Sequence, residues 1–260
     1  MHGDLVELLR STLRTQPVDL PVAQGATIKH LIETLDVPHT EIGAVTVDGL
    51  SADLGRVVAA GEHIDAYPAS PGSLPAADDA SAPGRQATES DAHDPARNGD
   101  GPRAPVRARF LADAHLGALA RLLRLVGFDT VLATDGADSE LAARAQAESR
   151  ILLSCDRELL KHRRILRGRL IRSRKPDDQL AEVLARFGLK DSLRPFTRCL
   201  ECNAPLESVA RALIEHRLPP GVMAGQFEFT RCVGCDRVYW PGSHWQQLSA
   251  RIDAIRHRLG

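Results

Sequence analysis

Two sets of residues in this 260-residue chain have the types and spacing to do chemistry. The first is Cys199-Leu200-Glu201-Cys202 and Cys232-Val233-Gly234-Cys235, two C-x-x-C pairs separated by the 29 residues from 203 to 231. Two residues between cysteines let both thiolates of a pair reach one Zn2+, and four thiolates close a tetrahedral shell with no open position, so the implied role is structural. A redox dithiol is the competing reading, but it needs only one pair, beside a thioredoxin-like βαβ unit that this sequence does not show. The shell leaves no vacancy for the nearby His244. The fifth cysteine, Cys155, ends an apolar run and reads as a buried thiol, though its place beside Asp156 can expose it to oxidants.

The second set is acidic. Phe110-Leu111-Ala112 runs into Asp113, Ile151-Leu152-Leu153-Ser154-Cys155 runs into Asp156, and Asp135, Asp138 and Glu140 follow a third apolar run. Carboxylates gathered beyond the strands of one sheet suit hard divalent cations, which keep several waters and take substrate phosphate as a further ligand. Asp113, Asp138 and Asp156 are the candidate Mg2+ or Mn2+ ligands, and the chemistry is in-line attack of activated water on a phosphodiester. An Asp between a strand and a helix is also a common N-cap, Asp135-Gly136 is also a turn signal, and Asp138 can cap the helix it opens. Asp177 and Asp178 follow Pro176 in a first helical turn, where acids favour the helix dipole, and they read as structural. Around the acids lies a basic segment: Arg157, Lys161, His162, Arg163, Arg164, Arg167, Arg169, Arg172, Arg174 and Lys175, with Glu158 as its one acid. It reads as a phosphate-binding track, with Arg157, Lys161, Arg163 and Arg164 as candidate substrate contacts. Few aromatic residues accompany it, which gives base stacking little support.

These residues need a frame. From residue 106 the pattern alternates: strand 106–112, helix 116–126, strand 128–133, helix 139–147, strand 151–154, a short helix near Leu159, strand 170–172 and helix 176–187. Such alternation predicts a parallel sheet with helices on its faces, and ligands then bind beyond the carboxyl ends of its strands. Leu116, Leu119, Leu123 and Val126 fall at helical spacing and read as core. Near the C-terminus, Ser243 and Gln246 suit a capping box, and Trp245, Leu248, Ile252, Ile255 and Leu259 share one helical face that should pack on the ribbon or on the catalytic unit. At the front, a helix-like run 27–35 and strand-like runs 42–47 and 63–67, with turn signals at Asp48-Gly49 and Gly61-Glu62, suit a small α+β domain. Between the two lies 70–105, rich in Pro, Ala, Gly, Ser and Asp, which reads as a disordered linker.

The domains expected are therefore 1–69, 106–190 and 191–260. The net charge of -1 conceals an asymmetry: 1–70 holds 4 basic and 10 acidic residues, whereas 106–190 holds 17 and 11. A basic unit can hold RNA, while an acidic one can fold against the basic part or against a partner. The composition is that of a globular protein, no apolar run approaches the roughly 20 residues that cross a bilayer, and the Met1-His2-Gly3-Asp4 start lacks a signal-peptide pattern. A cytoplasmic location with no membrane association is expected.

Phe110 to Gly117, Leu122 to Asp129, Arg150 to Arg157, both cysteine pairs and Val238-Tyr239-Trp240-Pro241-Gly242-Ser243-His244 together resemble the Mut-seven C-terminal RNase domain, a PIN-like nuclease, over about residues 107 to 250. Val37 to Ile42 and Gly61 to Pro68 resemble the ubiquitin-like β-grasp domain that accompanies it in bacterial proteins. The resemblance implies a multidomain chain: an α+β β-grasp domain, an α/β PIN-like parallel sheet, then a zinc ribbon with a terminal helix. It implies acidic metal ligands at Asp113, Asp156 and Asp138. The family's Thr-Arg-Asp triplet stands here as Ser154-Cys155-Asp156, so Cys155 replaces a basic residue. Sulfur-carrier proteins share the β-grasp but end in a free Gly-Gly, whereas here Tyr67-Pro68 runs on into the linker. The function expected is a metal-dependent ribonuclease; the alternative is a non-catalytic RNA-binding adaptor whose ubiquitin-like domain recruits a protein partner.

Overall fold

The computed structural model describes residues 1–14, 17–69, 108–223 and 228–259. The 70–105 stretch read as a linker lies outside the described residues.

Strand β1 (Ile42–Val47) pairs antiparallel with β2 (Leu50–Ala52) and with β3 (Ile64–Pro68). Asp48 and Gly49 form a two-residue hairpin loop with φ of 50° and 80°, the left-handed pair that matches strand twist and that Asp-Gly adopts readily. Helix α1 (Ile28–Thr34) starts at Thr27, whose Oγ1 accepts the His30 N–H, and it buries Ile28, Leu31 and Ile32. Two elements of this unit, β2 and a 3-10 segment Gly3–Leu8 that runs beside β3 and buries Leu5 and Leu8, are among those without a counterpart in the sequence reading.

The second sheet is all-parallel: β4 (Arg109–Ala112), β5 (Asp129–Leu132), β6 (Ile151–Ser154) and β7 (Gly168–Leu170), in the order β5-β4-β6-β7. Helices α2 (Gly117–Leu125), α3 (Asp138–Ala147), α4 (Arg157–Lys161) and α5 (Pro176–Arg186) connect and follow the strands. Side chains alternate across the strands. Phe110, Ala112, Ile151 and Leu153 pack with α2 and α5, while Leu111 and Leu152 join the cluster that holds Ala142 and Ala145 of α3. Each fully buried Leu or Phe in these layers contributes about 1.5–3 kcal/mol. Strand β7 begins two residues earlier than its apolar run suggests. The Ile171 N–H still donates to the Ser154 carbonyl of β6, and only from Arg172 do the backbone donors leave the sheet, the N–H groups of Arg172 and Ser173 donating to the Glu182 carboxylate of α5.

The C-terminal part holds β8 (Leu206–Val209), a single turn α6 (Pro220–Met223), β9 (Phe229–Cys232) and β10 (Val238–Tyr239) in an antiparallel sheet of order β10-β9-β8, then α7 (Ser243–Arg258). The capping box expected at Ser243 and Gln246 does not form. Gly242 is the N-cap and no side chain caps the helix, because Ser243 already lies in the first turn, one residue too late to accept from it. The apolar face of α7 packs on the parallel-sheet unit: Ile252 and Ile255 are buried with the α2 and α5 side chains, Trp245 stacks on Phe196, and Arg251 and Arg258 hydrogen-bond Asp177 and Asp178. Those two acids thus have the structural role their position implied.

The N-terminal unit is not separate from the parallel sheet. Leu5, Leu8, Ile28 and Val37 belong to one apolar cluster with Leu159, Leu160, Ile165 and Leu170. Glu41, only 2% exposed, ion-pairs with Arg169 and accepts the Leu170 N–H at 2.7 Å. That carboxylate takes an outward-facing donor of the edge strand β7, which covers an otherwise open sheet edge. No helix among the described residues is long and apolar enough to cross a membrane.

Candidate active-site edge and metal centre

The strand order places β5 on one side of β4 and β6 on the other, so the chain reverses direction across the sheet between β4 and β6. This switch point leaves a crevice at the strands' carboxyl ends, the usual ligand site of open α/β sheets. Asp113 follows β4 and Asp156 follows β6, which puts both at the crevice. Ser154 joins them: its hydroxyl donates to Asp113 Oδ2, and its Oγ accepts the Asp156 N–H at 2.9 Å. Asp113 is 5% exposed; its Oδ1 accepts the His115 N–H at 2.9 Å and its Oδ2 also accepts the Cys155 N–H. Asp156 Oδ1 accepts the Glu158 and Leu159 N–H groups, which leaves Oδ2 without a protein partner among the described residues. Both acids are therefore N-caps, and both stand at the carboxyl ends of the neighbouring strands β4 and β6.

The remaining acids divide. Asp138 opens α3 without capping it, since Ala137 holds the N-cap position, and its side chain is exposed beyond the edge strand β5. Asp135 accepts the Thr134 hydroxyl at 3.1 Å, a local turn contact. Glu182 was not among the sequence candidates, because it sits in the middle of α5 with no strand end before it. The structure brings it to the same carboxyl edge at Arg172 and Ser173. Cys155 registers this arrangement: burial pushes its thiol up, and Asp113 and Glu182 push it further in the same direction. A protonated thiol is a poor nucleophile, so the exposed Cys155 is not poised for oxidation.

The basic segment also divides. Arg157 and Lys161 are already paired, since both bind Asp36 just beyond the end of α1, at 2.8 and 2.7 Å. Arg169 pairs with Glu41, and Arg172 with Glu7 at 2.6 Å. Arg163, Arg164, Arg174 and Lys175 remain exposed. The acidic front of the chain has thus folded against part of its basic middle.

The four cysteines of the two pairs converge, with their sulfurs all within 4.8 Å of one another, and among the described residues they are the one group of three or more such ligands to do so. Asp113, Asp138 and Asp156 do not form a group of that kind. The Cys202 N–H donates to Cys199 Sγ, and the Gly234 and Cys235 N–H groups donate to Cys232 Sγ. Burial works to raise the Cys199 thiol, yet the Cys202 N–H and the Tyr239 hydroxyl bring it down to about 6. Four sulfurs in this arrangement fit a metal such as zinc.

The centre lies at the other end of the sheet from the acids. Arg124 of α2 donates to the Leu200 and Glu201 carbonyls at 2.9 and 2.8 Å and to the Thr130 carbonyl at 2.9 Å. Asn203, in the left-handed region at φ 71°, accepts the Thr130 N–H and donates to Asp129 Oδ1 at the start of β5. Burial raises the Asp129 carboxyl, but Arg150 and Asn203 outweigh it and hold it at about 2. The chain reaches the ribbon past Gly127, at φ 97°, where a Cβ would stand 2.3 Å from the Arg194 carbonyl oxygen. Only glycine fits there.

Comparison with known proteins identifies two parts of the chain. The model of the Mut7-C RNAse domain matches residues 108–252, and that of the Mut7-C ubiquitin domain matches residues 1–73. No curated protein and no solved structure matches. The RNAse-domain family points to a nuclease, and the ubiquitin-like domain to protein interaction. With the RNAse-domain match spanning more than half of its residues, behind a Mut7-C ubiquitin domain, this chain belongs to the Mut7-C RNAse domain family.

Proposed function

We propose that this protein is a metal-dependent ribonuclease that hydrolyses RNA phosphodiester bonds at the crevice between β4 and β6. The observation that carries the proposal is the Asp113–Ser154–Asp156 chain of hydrogen bonds at the sheet's switch point. Asp113, Asp156 and, beyond the edge strand, Asp138 are the acids assigned to Mg2+ or Mn2+. Bound there, such an ion supplies charge neutralisation at the phosphate and a water of lowered pKa. Ser154 and the His115 and Cys155 N–H groups fix the orientation of the Asp113 carboxylate, and the α4 cap fixes that of Asp156. Arg163 and Arg164 hold the RNA backbone, joined by Arg157 and Lys161 where these are accessible. The four-cysteine centre holds zinc and keeps the ribbon on the amino end of the sheet. The working division is a ubiquitin-like unit 1–69, a linker 70–105, a nuclease unit 106–190 and a ribbon with its helix 191–260, acting in the cytoplasm.

The adaptor reading has one observation in its favour: capping alone accounts for Asp113 and Asp156. Cleavage of a labelled single-stranded RNA, with Mn2+ or with EDTA, separates the two. We expect metal-dependent cleavage by the natural chain and at least a roughly hundredfold loss in the Asp113→Asn/Asp156→Asn double variant, the scale at which removing electrostatic stabilisation of a transition state acts. RNA binding without cleavage by either protein would establish the adaptor instead.

A further inference from the structure

Three carboxylates of the ubiquitin-like unit meet the basic segment, and they do so in two distinct ways. Glu41 is buried against Arg169 and the edge of β7, next to His39, whose Nε2–H donates to the Ile165 carbonyl at 2.9 Å. This is a desolvated anchor, continuous with the shared apolar cluster. Asp36 and Glu7 form a wetter rim. Asp36 is 37% exposed and offers one oxygen to Lys161 and the other to Arg157, while Glu7 is 67% exposed and reaches Arg172. The rim sits where substrate would lie. Arg157 directly follows Asp156, and Arg172 begins the loop after β7, where Glu7, Arg14, Arg172, Ser173 and Glu182 line an open cleft.

A carboxylate with its two oxygens on two cations has the negative charge and the pair of acceptor oxygens of a backbone phosphate. We propose that Arg157, Lys161 and Arg172 form an RNA-phosphate subsite which Asp36 and Glu7 fill, so that the ubiquitin-like unit competes in cis with RNA while its Glu41 anchor stays in place. This rests on the ribonuclease reading, in that the polyanion is RNA. The anchor explains why the competition is local. Unseating Glu41 strands a buried charge, whereas the rim pairs are partly solvated and exchange at little cost. RNA binding thus swings two side chains aside and does not undock the unit.

The test is RNA affinity of the full chain in EDTA, read by anisotropy of a labelled single strand across a salt series. Asp36→Asn/Glu7→Gln should bind tighter than the natural chain by roughly 2- to 25-fold at low salt, from about 1.5- to 5-fold for each of the two carboxylates removed. Its log–log salt slope should steepen by about 1 to 2 as the released cations take up phosphates. Asp53→Asn, whose native hydrogen bond is to the Gly55 N–H of its own turn, is the control for net charge and should gain far less. Should the double variant fold poorly by circular dichroism, Glu7→Gln alone carries the comparison. Equal or weaker binding by the variant, or an equal gain in the control, overturns the competition and leaves the ribonuclease reading intact. Absence of salt-dependent RNA binding by every protein, the natural chain included, overturns both.

Discussion

Replacing Glu41 by Gln tests whether the ubiquitin-like unit is built into the nuclease. Glu41 and Arg169 are 2% and 8% exposed in their side chains, and the Glu41 carboxylate also takes the Leu170 N–H. Burial pushes the Glu41 carboxyl up against the pull of Arg169, so desolvation consumes much of the attraction between the two charges. Removing one partner of such a pair costs roughly 3–5 kcal/mol, because the other charge stays buried and uncompensated. Glu182 lies 4.0 Å from Arg169 and gives it partial support, which places Glu41→Gln near the lower end, about 3 kcal/mol. For a protein of this size each kcal/mol moves the midpoint by roughly 2–4 °C, so thermal unfolding followed by circular dichroism should show a fall of roughly 6–12 °C. A Glu41→Gln/Arg169→Met protein should recover part of that loss, since no buried charge is left uncompensated and the introduced amide oxygen can still accept the Leu170 N–H. A loss below about 1 kcal/mol for Glu41→Gln, the size expected of a solvated pair, would mean that the two units do not share this interface, and the reasoning would fail.

Two further predictions concern the amino end of the sheet. Asp129 is held at about 2 against an ordinary 3.8, so its contribution to stability is present above about pH 4 and is lost as pH falls toward 2; the shift corresponds to about 2 kcal/mol. Urea unfolding between pH 2 and 5 should therefore show a shallower acid dependence in Asp129→Asn than in the natural chain, and identical slopes would remove Asp129 from the account. Cys199→Ser should lower bound zinc, measured by elemental analysis, from about one ion per chain toward zero. It should also speed hydrogen exchange at the Thr130 amide, which the ribbon's Asn203 protects; a variant that kept its zinc and its exchange rates would show that the centre does not hold the ribbon in place.

Much of this was legible in local sequence. The β1 and β6 boundaries follow directly from their apolar runs, and α2, α3 and α5 agree to within a residue or two, because short buried strands and amphipathic helices carry their period in the residues themselves. The zinc cysteines were legible for a stronger reason: two residues between ligands is a geometric requirement of the metal and depends on little else. The placing of Asp113 and Asp156 at a common edge likewise follows from their positions just after parallel strands.

Other features have no local signature. Whether Ser243 caps α7 turns on where the first helical turn closes, and Gly242 took that position. The Gly3–Leu8 segment is read as an element only once β3 gives it a surface to pack on. Glu182 reaches the carboxyl edge through the packing of α5, from the middle of a helix where sequence marks no site. Above all, the chain could be read as acidic in front and basic behind, but not which charges would meet. Charge sums are long-range and carry no direction, whereas an ion pair requires two side chains brought to about 3 Å by everything else in the fold. The sequence by itself therefore marked the four cysteines that converge, the two acids that follow neighbouring strands and the alternation of strands with helices. Tertiary structure alone decided that Arg157, Lys161, Arg169 and Arg172 face carboxylates of their own chain, because that assignment depends on how one folded unit seats against the sheet edge of another.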